Sequence, residues 1–241
     1  MQIIPVHIEK EIEPHDDLSE LIINSQEICS GDILVIAQKV ISKQEGRMVE
    51  LSSITPSLLA KGISSEYAKD PKIMQLILNE SKQIIRMDRG IIIVETNHGF
   101  ICANAGVDES NVPNGYATLL PLNSDLSADY IRTEILKKTN KSISVIISDT
   151  FGRPFRIGQI NCAIGISGMN PILDYADTKD SFDKTLRVTA IAISDELCSA
   201  AELVMKKTTN CPAVIIRGYD FKNEPSSIKG LIRQEKEDLF R

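Results

Sequence analysis

The segment "SVIISDTFGRP", residues 144–154, joins an apolar strand pattern to a group of reactive side chains. Residues 145–147 are all β-branched, which is typical of a strand buried in a sheet. Polar and flexible residues follow at once, namely Asp149, Thr150, Gly152 and Arg153. We therefore predict a strand over 143–148 that ends where a carboxylate, a hydroxyl and a cation begin.

The bulk composition predicts an ordinary globular protein. The chain has 241 residues, 42% hydrophobic and 25% charged, enough for one large domain or two small ones. A net charge of −6 disfavours binding to nucleic acid or to an anionic membrane. No apolar run reaches the ~20 residues of a membrane helix, and the acidic N-terminal region predicts no secretory leader. Five cysteines without CxxC spacing indicate free thiols in a reducing cytoplasm.

Hydrophobic spacing predicts a mixture of strands and helices along the whole chain. We predict strands or hairpins at 31–42, 90–106, 159–169 and 211–220, and helices at 127–140 and from residue 226 onward. Residues 55–85 are predicted to form two helices, and residues 185–207 to pass from a strand into a helix. Because hairpins lie among the helices, a mixed α+β arrangement is favoured over a doubly wound parallel sheet.

The loop "SDTFGRPFRIG", residues 148–158, is the first candidate site. Asp149 and Thr150 offer the hard oxygen donors that magnesium or manganese prefers. Arg153 and Arg156 could hold phosphate or carboxylate oxygens through their planar guanidinium groups. The alternative is a local Asp-Thr turn with solvated arginines.

The loop "CANAGVDESNV", residues 102–112, is the second candidate site. Asp108 could supply a further metal carboxylate, and Asn111 a polar contact to a nucleotide. An Asx-rich surface turn is the alternative for this loop alone. Two strand ends that both carry oxygen donors suggest that they converge on one site.

Two basic segments are candidates for phosphate contacts. In "AQKVISKQEGR", residues 37–47, Lys39, Lys43 and Arg47 recur every four residues, so on a helical turn they would share one face. In "KKTTNCP", residues 206–212, two lysines are followed by two threonines, so the loop is basic and rich in hydroxyl groups. Solvated surface lysines are the alternative in the first segment, and the second segment by itself indicates little.

The familiar nucleotide and hydrolase motifs are absent from the sequence. There is no GxxxxGK[ST] loop, no GxGxxG after a strand, and no HExxH, GxSxG or kinase signature. Cys102 and Cys162 lie in apolar strands and are interpreted as core residues rather than nucleophiles. The residues alone therefore leave a ligase, a metal-dependent phosphate-ester hydrolase and a non-catalytic binding protein open.

Four blocks, taken together, resemble the coenzyme F420-0:L-glutamate ligase family, in which F420 is the name of the coenzyme. The blocks are "GDILVIAQKVISKQEGR" (31–47), "CANAGVDESNV" (102–112), "SDTFGRPFRIGQINCAIGISGM" (148–169) and "DELCSAAELVM" (195–205). The resemblance covers nearly the full chain, with the blocks in family order. It implies one ligase domain over 1–241 with a two-lobed mixed α/β fold and an intertwined homodimer.

The resemblance also implies an activity, ligands and site residues. The expected enzyme is a GTP-dependent ligase that joins L-glutamate to coenzyme F420-0 through an acyl phosphate, and then adds a second glutamate by a γ-linkage. It is expected to use two divalent ions, Mg²⁺ or Mn²⁺, with K⁺ as a stimulant. Asp108, Asp149 and Thr150 match the metal positions. The nucleotide positions are matched by Gln38, Lys39, Lys43 and Asn111, and by the loop that contains Lys206, Lys207 and Thr208. No side chain is identified as a general base.

Overall fold

The computed structural model describes residues 1–239, which form twelve β-strands and six α-helices. The strands are β1 (Gln2–Val6), β2 (Ile33–Ala37), β3 (Met48–Glu50), β4 (Ser81–Asp88), β5 (Ile91–Thr96), β6 (Ile101–Ala103), β7 (Tyr116–Thr118), β8 (Ser144–Arg153), β9 (Arg156–Ser167), β10 (Leu173–Asp174), β11 (Ala190–Ile191) and β12 (Ala213–Arg217). The helices are α1 (Leu18–Ser25), α2 (Gln38–Gln44), α3 (Leu58–Tyr67), α4 (Pro71–Asn79), α5 (Ser124–Thr139) and α6 (Ile193–Met205). None of the helices within residues 1–239 is long and apolar enough to cross a lipid bilayer.

The main sheet has five strands in the order β1-β12-β2-β8-β9. Strands β2 and β8 are parallel, and every other neighbouring pair in this sheet is antiparallel. The central strands are rich in Ile and Val and almost wholly buried. Continuous apolar runs of this kind are expected of strands that are covered on both faces. Helices α5 and α6 both pack against β9.

A smaller antiparallel sheet, β4-β5-β6, has its own hydrophobic cluster with α3 and α4. Ile77 of α4 and Val94 of β5 are fully buried in this cluster. The main sheet belongs to a separate and larger cluster that includes Ile36 and Ile147. A two-stranded ribbon, β3-β7, and an exposed hairpin, β10-β11, complete the strand pairing among the described residues.

This architecture confirms the mixed α+β fold class. Antiparallel hairpins are interleaved with helices, and the main sheet contains one parallel pair. The division of residues 1–241 into two lobes and the intertwined dimer stay predictions.

The predicted end of the strand at residue 148 is wrong. Strand β8 continues to Arg153, and its outer half pairs with β9 in a long hairpin. Asp149 and Thr150 therefore lie on the strand opposite Cys162 and Asn161, and not in a loop beyond it. The polar composition misled the prediction, because β2 ends at Ala37 and the outer half of the hairpin lacks that neighbour.

Two other predicted boundaries are also wrong. The strand predicted over 31–42 stops at Ala37, and the helix α2 begins at Gln38. The second helix predicted within 55–85 ends at Asn79, and residues 81–88 form β4. Ile84 lies opposite Val94 in the small sheet, so tertiary pairing overrides its helical spacing from Ile77.

The predicted start of the helix at 127–140 and the predicted C-terminal helix both need correction. Helix α5 begins at Ser124, and Asn123 accepts the capping hydrogen bond from the Leu126 N–H at 3.2 Å. From residue 226 to 239 the chain forms only two 3-10 turns, Ile228–Leu231 and Glu235–Glu237. The second turn has no buried residue to support a longer helix. Phe240 and Arg241 lie outside the described residues.

Gly165 of β9 marks the closest approach of α5 to the sheet. A Cβ atom at this position would lie 2.4 Å from the Cβ and from the carbonyl oxygen of Ser124, at the start of α5. Part of that contact is backbone, so it cannot be relieved by a rotamer change. The absence of a side chain at Gly165 therefore sets the distance between helix and sheet.

We predict that Gly165→Ala lowers the free energy of unfolding by about 3 kcal/mol, the upper range for overpacking a core. Gly152→Ala on β8 is the matched control, because a Cβ there meets nothing within 4 Å. Urea unfolding of both variants provides the comparison. Equal stability of the two variants would show that α5 does not need this contact distance.

Asp195, in the first turn of α6, accepts a hydrogen bond from the backbone N–H of Ala163 at 2.9 Å. Ala163 lies next to the register shift between β8 and β9, so this carboxylate helps to hold the irregular part of the ladder. Burial raises the pKa of Asp195 above its ordinary value, against the opposing effect of the Ala163 hydrogen bond. Ionisation of the buried Asp195 carboxylate therefore lowers the stability of the fold, whereas one of its oxygens is needed to accept the hydrogen bond from Ala163.

We predict opposite effects for two substitutions at this position. Because the folded-state pKa of Asp195 is raised, its contribution to stability is complete below the unfolded pKa and is lost as pH rises through the folded pKa. Asp195→Asn keeps an acceptor without the charge, so its stability should gain on the wild type as pH rises from about 4 to 7. Asp195→Ala leaves the buried Ala163 N–H unsatisfied and should cost about 1–3 kcal/mol at every pH. Thermal unfolding across this pH range tests both; parallel pH profiles for wild type and Asp195→Asn would contradict the first.

Candidate active site

A cavity of about 680 Å³ opens beside the carboxyl ends of β2 and β8. This volume suits a cofactor-sized ligand. The cavity is lined by nine of the predicted site residues: Gln38, Lys39, Lys43, Asp108, Asn111, Asp149, Thr150, Lys206 and Lys207. Segments far apart in sequence thus contribute to one site.

The parallel pairing of β2 with β8 brings the first two segments together. Ala37 lies opposite Ser148 in the ladder, so the parallel pairing of β2 with β8 ends at one edge of the sheet, and the residues after both positions lie close together. Beyond this edge β2 turns into α2, on which Lys39 and Lys43 lie one turn apart. As predicted, these two lysines share a helical face. Arg47 lies beyond α2 and instead binds Glu80 and the carbonyl of Leu120.

Asp108 reaches the cavity from the small sheet through a strained turn. Asn104, Ala105 and Gly106 have positive φ angles of 54°, 54° and 71°, and reverse the chain after β6. The backbone of Asp108 then pairs with Thr118. Left-handed backbone is costly for non-glycine residues, so this turn is maintained by its surroundings.

The carboxylate of Asp108 is held by several hydrogen bonds. One oxygen accepts from the Ser110 N–H at 2.7 Å, and the other from Lys39 Nζ at 2.7 Å and from the Ser110 hydroxyl at 2.9 Å. Burial acts to raise the pKa of Asp108, but the hydrogen bonds from Lys39 and Ser110 hold it below its ordinary value. Asp108 is therefore ionised at neutral pH.

Asp149 has the opposite electrostatic environment. Burial raises its pKa to about 6, against a hydrogen bond from the Thr150 backbone, and the negative charge of Asp108 adds to the increase. Within residues 1–239 no lysine, arginine or histidine forms an ion pair with it within 4.0 Å. Asp108 and Asp149 thus face the same cavity closely enough for their charges to interact.

Thr150 belongs to a closed ring of hydrogen bonds. Its hydroxyl donates to Asn161 Oδ1 at 2.8 Å and accepts from Lys207 Nζ at 2.8 Å. Asn161 Nδ2 donates to Glu202 Oε2 at 3.0 Å, and Lys207 Nζ lies 2.9 Å from Glu202 Oε1. The ring joins β8, β9 and α6 across the cavity wall.

Two further cavity lysines are also paired with carboxylates. Lys39 pairs with Asp108, and Lys43 pairs with Glu11 of the N-terminal segment. Five lysines and four carboxylates line the cavity, so the protein alone offers a nucleotide triphosphate almost no net positive charge. A polyanionic ligand in this cavity would need additional cations.

Three predicted contacts do not line this cavity. Arg153 lies near the tip of the β8-β9 hairpin, where its Nη2 donates to the carbonyl of Ile157 at 3.2 Å. Arg156 is exposed at the same tip, and Thr208 is exposed beyond α6. These residues are close to Thr150 or Lys207 in sequence, but they do not line the cavity.

The sequence interpretation missed Asn161, Glu202 and Glu11, all of which line the cavity. Asn161 is a buried polar residue directly before the apolar part of β9, and that position was the available signal. Its position opposite Thr150 becomes evident only once 144–167 is known to be a hairpin. Glu202 and Glu11 carry no local signal, since charged residues are common on helices and surface segments.

The donor chemistry of the cavity fits a hard divalent cation. Asp108, Asp149 and Thr150 provide the oxygen ligands that Mg²⁺ and Mn²⁺ prefer, and Asp149 has no ion-pair partner among the described residues. The part of the chain that the structure describes contains no cluster of three or more His, Cys, Asp or Glu residues suited to a metal. A cation here would thus rely on the hydroxyl and on ligands from outside the chain.

Thiol chemistry is disfavoured at this site. Cys102 lines the cavity, but burial raises its pKa to about 12, and burial raises that of Cys162 to about 12 as well. Both thiols are therefore protonated at neutral pH and are poor nucleophiles. All five cysteines are free, as the sequence predicted.

Comparison with known proteins gives a consistent result over almost the whole chain. Residues 8–218 match the family model described as F420-0:Gamma-glutamyl ligase. A relative from Methanocaldococcus jannaschii, named coenzyme F420:L-glutamate ligase, is 46% identical over 93% of this chain and 90% of its own. Relatives of the same name from Methanothermobacter thermautotrophicus and Methanopyrus kandleri are 44% and 42% identical, over 94% and 100% of this chain and 93% and 98% of their own. The chain therefore belongs to the F420-0:gamma-glutamyl ligase family.

Proposed function

We propose that this protein is a GTP-dependent ligase that joins the amino group of L-glutamate to the terminal carboxylate of coenzyme F420-0. A second glutamate then follows through the γ-carboxyl group. The observation that carries the proposal is one cavity, in a member of this family, that gathers Asp108, Asp149 and Thr150 with five lysines.

The reaction needs activation of a carboxylate, because its negative charge repels nucleophiles and its oxygen is a poor leaving group. Transfer of the γ-phosphoryl group of GTP to the carboxylate forms an acyl phosphate and releases GDP. The glutamate amine then attacks the acyl carbon, the C–N bond forms, phosphate leaves with the electrons of the broken C–O bond, and the nitrogen loses a proton to solvent. In phosphoryl transfer of this kind, the protein contributes mainly position and electrostatic stabilisation.

Asp108, Asp149 and Thr150 are proposed to hold two divalent ions, Mg²⁺ or Mn²⁺, with K⁺ as a stimulant. Such ions would neutralise the negative charge of the phosphates during transfer. The near balance of lysines and carboxylates in the cavity supports this proposal, since the chain itself cannot neutralise a triphosphate. Asp149, already desolvated and without an ion-pair partner among residues 1–239, is the ligand most available to a cation.

The cavity lysines are proposed to contact the nucleotide, together with Gln38 and Asn111. Each of Lys39, Lys43 and Lys207 is held by a carboxylate in this structure, so phosphate binding requires an exchange of partners. When Lys39 turns to a phosphate oxygen, it releases a carboxylate oxygen of Asp108 for a cation. Ligand binding and cation binding would therefore favour each other.

We further propose that the protein acts as a homodimer. The hairpin that contains β10 and β11 extends over residues 173–191 and is largely exposed, including Phe182 at 82% and Val188 at 90%. Large apolar side chains on a projecting hairpin are typical of an interface with another chain. Sedimentation equilibrium would measure the mass directly.

The decisive experiment is a product assay with GTP, Mn²⁺, L-glutamate and coenzyme F420-0. We predict a mass increase of one and then two glutamyl residues on the coenzyme, with one GDP released for each. Omission of either glutamate or the coenzyme should stop product formation. Phosphate release from GTP without either co-substrate would indicate a hydrolase, and binding without turnover a non-catalytic nucleotide-binding protein.

Asp149→Asn should lower product formation by roughly 1,000-fold or more, since loss of a metal ligand removes several kcal/mol of transition-state stabilisation. The substitution preserves shape and removes only the charge. Glu109→Gln is the matched control, because Glu109 is an exposed neighbour of Asp108 that does not line the cavity. Turnover of Asp149→Asn at the control rate would refute the metal assignment.

A further inference from the structure

In the hydrogen-bond ring around Thr150, Glu202 determines which groups donate and which accept along the path through Asn161. Glu202 is a carboxylate and can only accept hydrogen bonds, so the Asn161 group that faces it at 3.0 Å is the NH₂ group. The carbonyl oxygen of Asn161 must then face the other way, toward Thr150. The charge of Glu202 thus determines which end of the Asn161 amide meets the hydroxyl.

The orientation of Asn161 in turn determines the orientation of the Thr150 hydroxyl. Asn161 Oδ1 can only accept, so Thr150 must donate its single proton to it, at 2.8 Å. The lone pairs of the hydroxyl oxygen then point away from Asn161. One lone pair receives Lys207 Nζ at 2.8 Å, and the oxygen is presented as an acceptor to any cation.

We propose that Glu202 and Asn161 are positioning residues that keep the Thr150 hydroxyl oriented as an acceptor toward the metal site. Glu202 acts through Asn161, and Asn161 acts through the hydrogen bond that it accepts from Thr150. The inference rests on the proposed function, in which Thr150 is a cation ligand. Such supporting hydrogen bonds typically change metal affinity by about 10- to 100-fold when they are lost.

Burial makes the relay effective. Asn161 is only 4% exposed, so water cannot readily replace either of its partners. Glu202 is further constrained by Lys207, which occupies its second oxygen at 2.9 Å. The three side chains come from β9, from α6 and from the segment after α6, so the geometry does not depend on a single flexible loop.

Glu202→Gln reverses the relay with little change in shape. Lys207 can only donate, so it should take the carbonyl oxygen of the new glutamine, and the glutamine NH₂ group then faces Asn161. Asn161 must flip to accept this bond, and its own NH₂ group then donates to Thr150. This bond occupies the lone pair of the Thr150 oxygen that would otherwise face the cation, and the hydroxyl proton of Thr150 then points toward the cavity.

A second substitution should restore the direction. In the double variant N161D/E202Q the glutamine NH₂ group donates to the new carboxylate, and that carboxylate accepts the Thr150 proton. The net charge of the pair is the same as in the wild type. If Glu202 were needed only for the stability of the fold, N161D/E202Q would not be expected to restore cation binding.

The test is the affinity for Mn²⁺, measured from the electron paramagnetic resonance signal of the free ion during titration of the full chain in the presence of GDP. We expect Glu202→Gln to weaken binding about 10-fold and N161D/E202Q to return to within about 3-fold of the wild type. In a Thr150→Val background, Glu202→Gln should have less than about a 2-fold effect, because the hydroxyl that it orients is gone. Glu196→Gln, an exposed carboxylate on the same helix, is the control and should bind as the wild type does.

The outcomes separate the relay from the function on which it rests. Wild-type affinity in Glu202→Gln, or effects of Glu202→Gln and Thr150→Val that simply multiply, would overturn the relay alone. Failure of the wild type to bind Mn²⁺ would overturn the proposed metal role of Thr150 and the relay together. Thermal unfolding of each variant shows whether weakened binding reflects unfolding; weakening that tracks a lower melting temperature and is not restored in N161D/E202Q would also overturn the relay.

Discussion

The parallel pairing of β2 with β8 is the constraint on which the candidate site depends. Two parallel strands present their carboxyl ends at the same edge of a sheet, so whatever follows each strand is brought together. Here the ladder ends at Ala37 and Ser148. The lysines of α2 and the pair Asp149 and Thr150 follow directly, and neither segment could form the cavity by itself.

Charge balance explains why the site is held in its present arrangement. Opposite charges in a partly buried cavity pair with each other unless a ligand separates them. Lys39, Lys43 and Lys207 each take a carboxylate, which leaves Asp149 as the one cavity carboxylate without an ion pair in the described part of the chain. Burial raises the pKa of Asp149, and the positive charges of Lys39 and Lys207 lower it too little to offset that burial.

Local chemistry predicted the type of each element better than its ends. The apolar runs before Ala37 and before Asp149 are strands as predicted, but the first ends at Ala37 rather than at residue 42, and the second continues past residue 148 to Arg153. Asp149 and Thr150 look like loop residues because half of the β8-β9 hairpin extends beyond β2. No local pattern records where a neighbouring strand ends.

By itself the sequence determined the fold class, the family resemblance and nine of the residues that line the cavity, because strand periodicity and reactive side chains are properties of short segments. Only the tertiary structure decided that Asn161, Glu202 and Glu11 share the cavity with these residues, and that Arg153, Arg156 and Thr208 do not line it. The physical reason is that partnership across a cavity depends on strand register and on helix placement. Strand register and helix placement both arise from the burial of apolar faces that are distant in sequence. The residues next to a site residue in the sequence therefore do not indicate its partners.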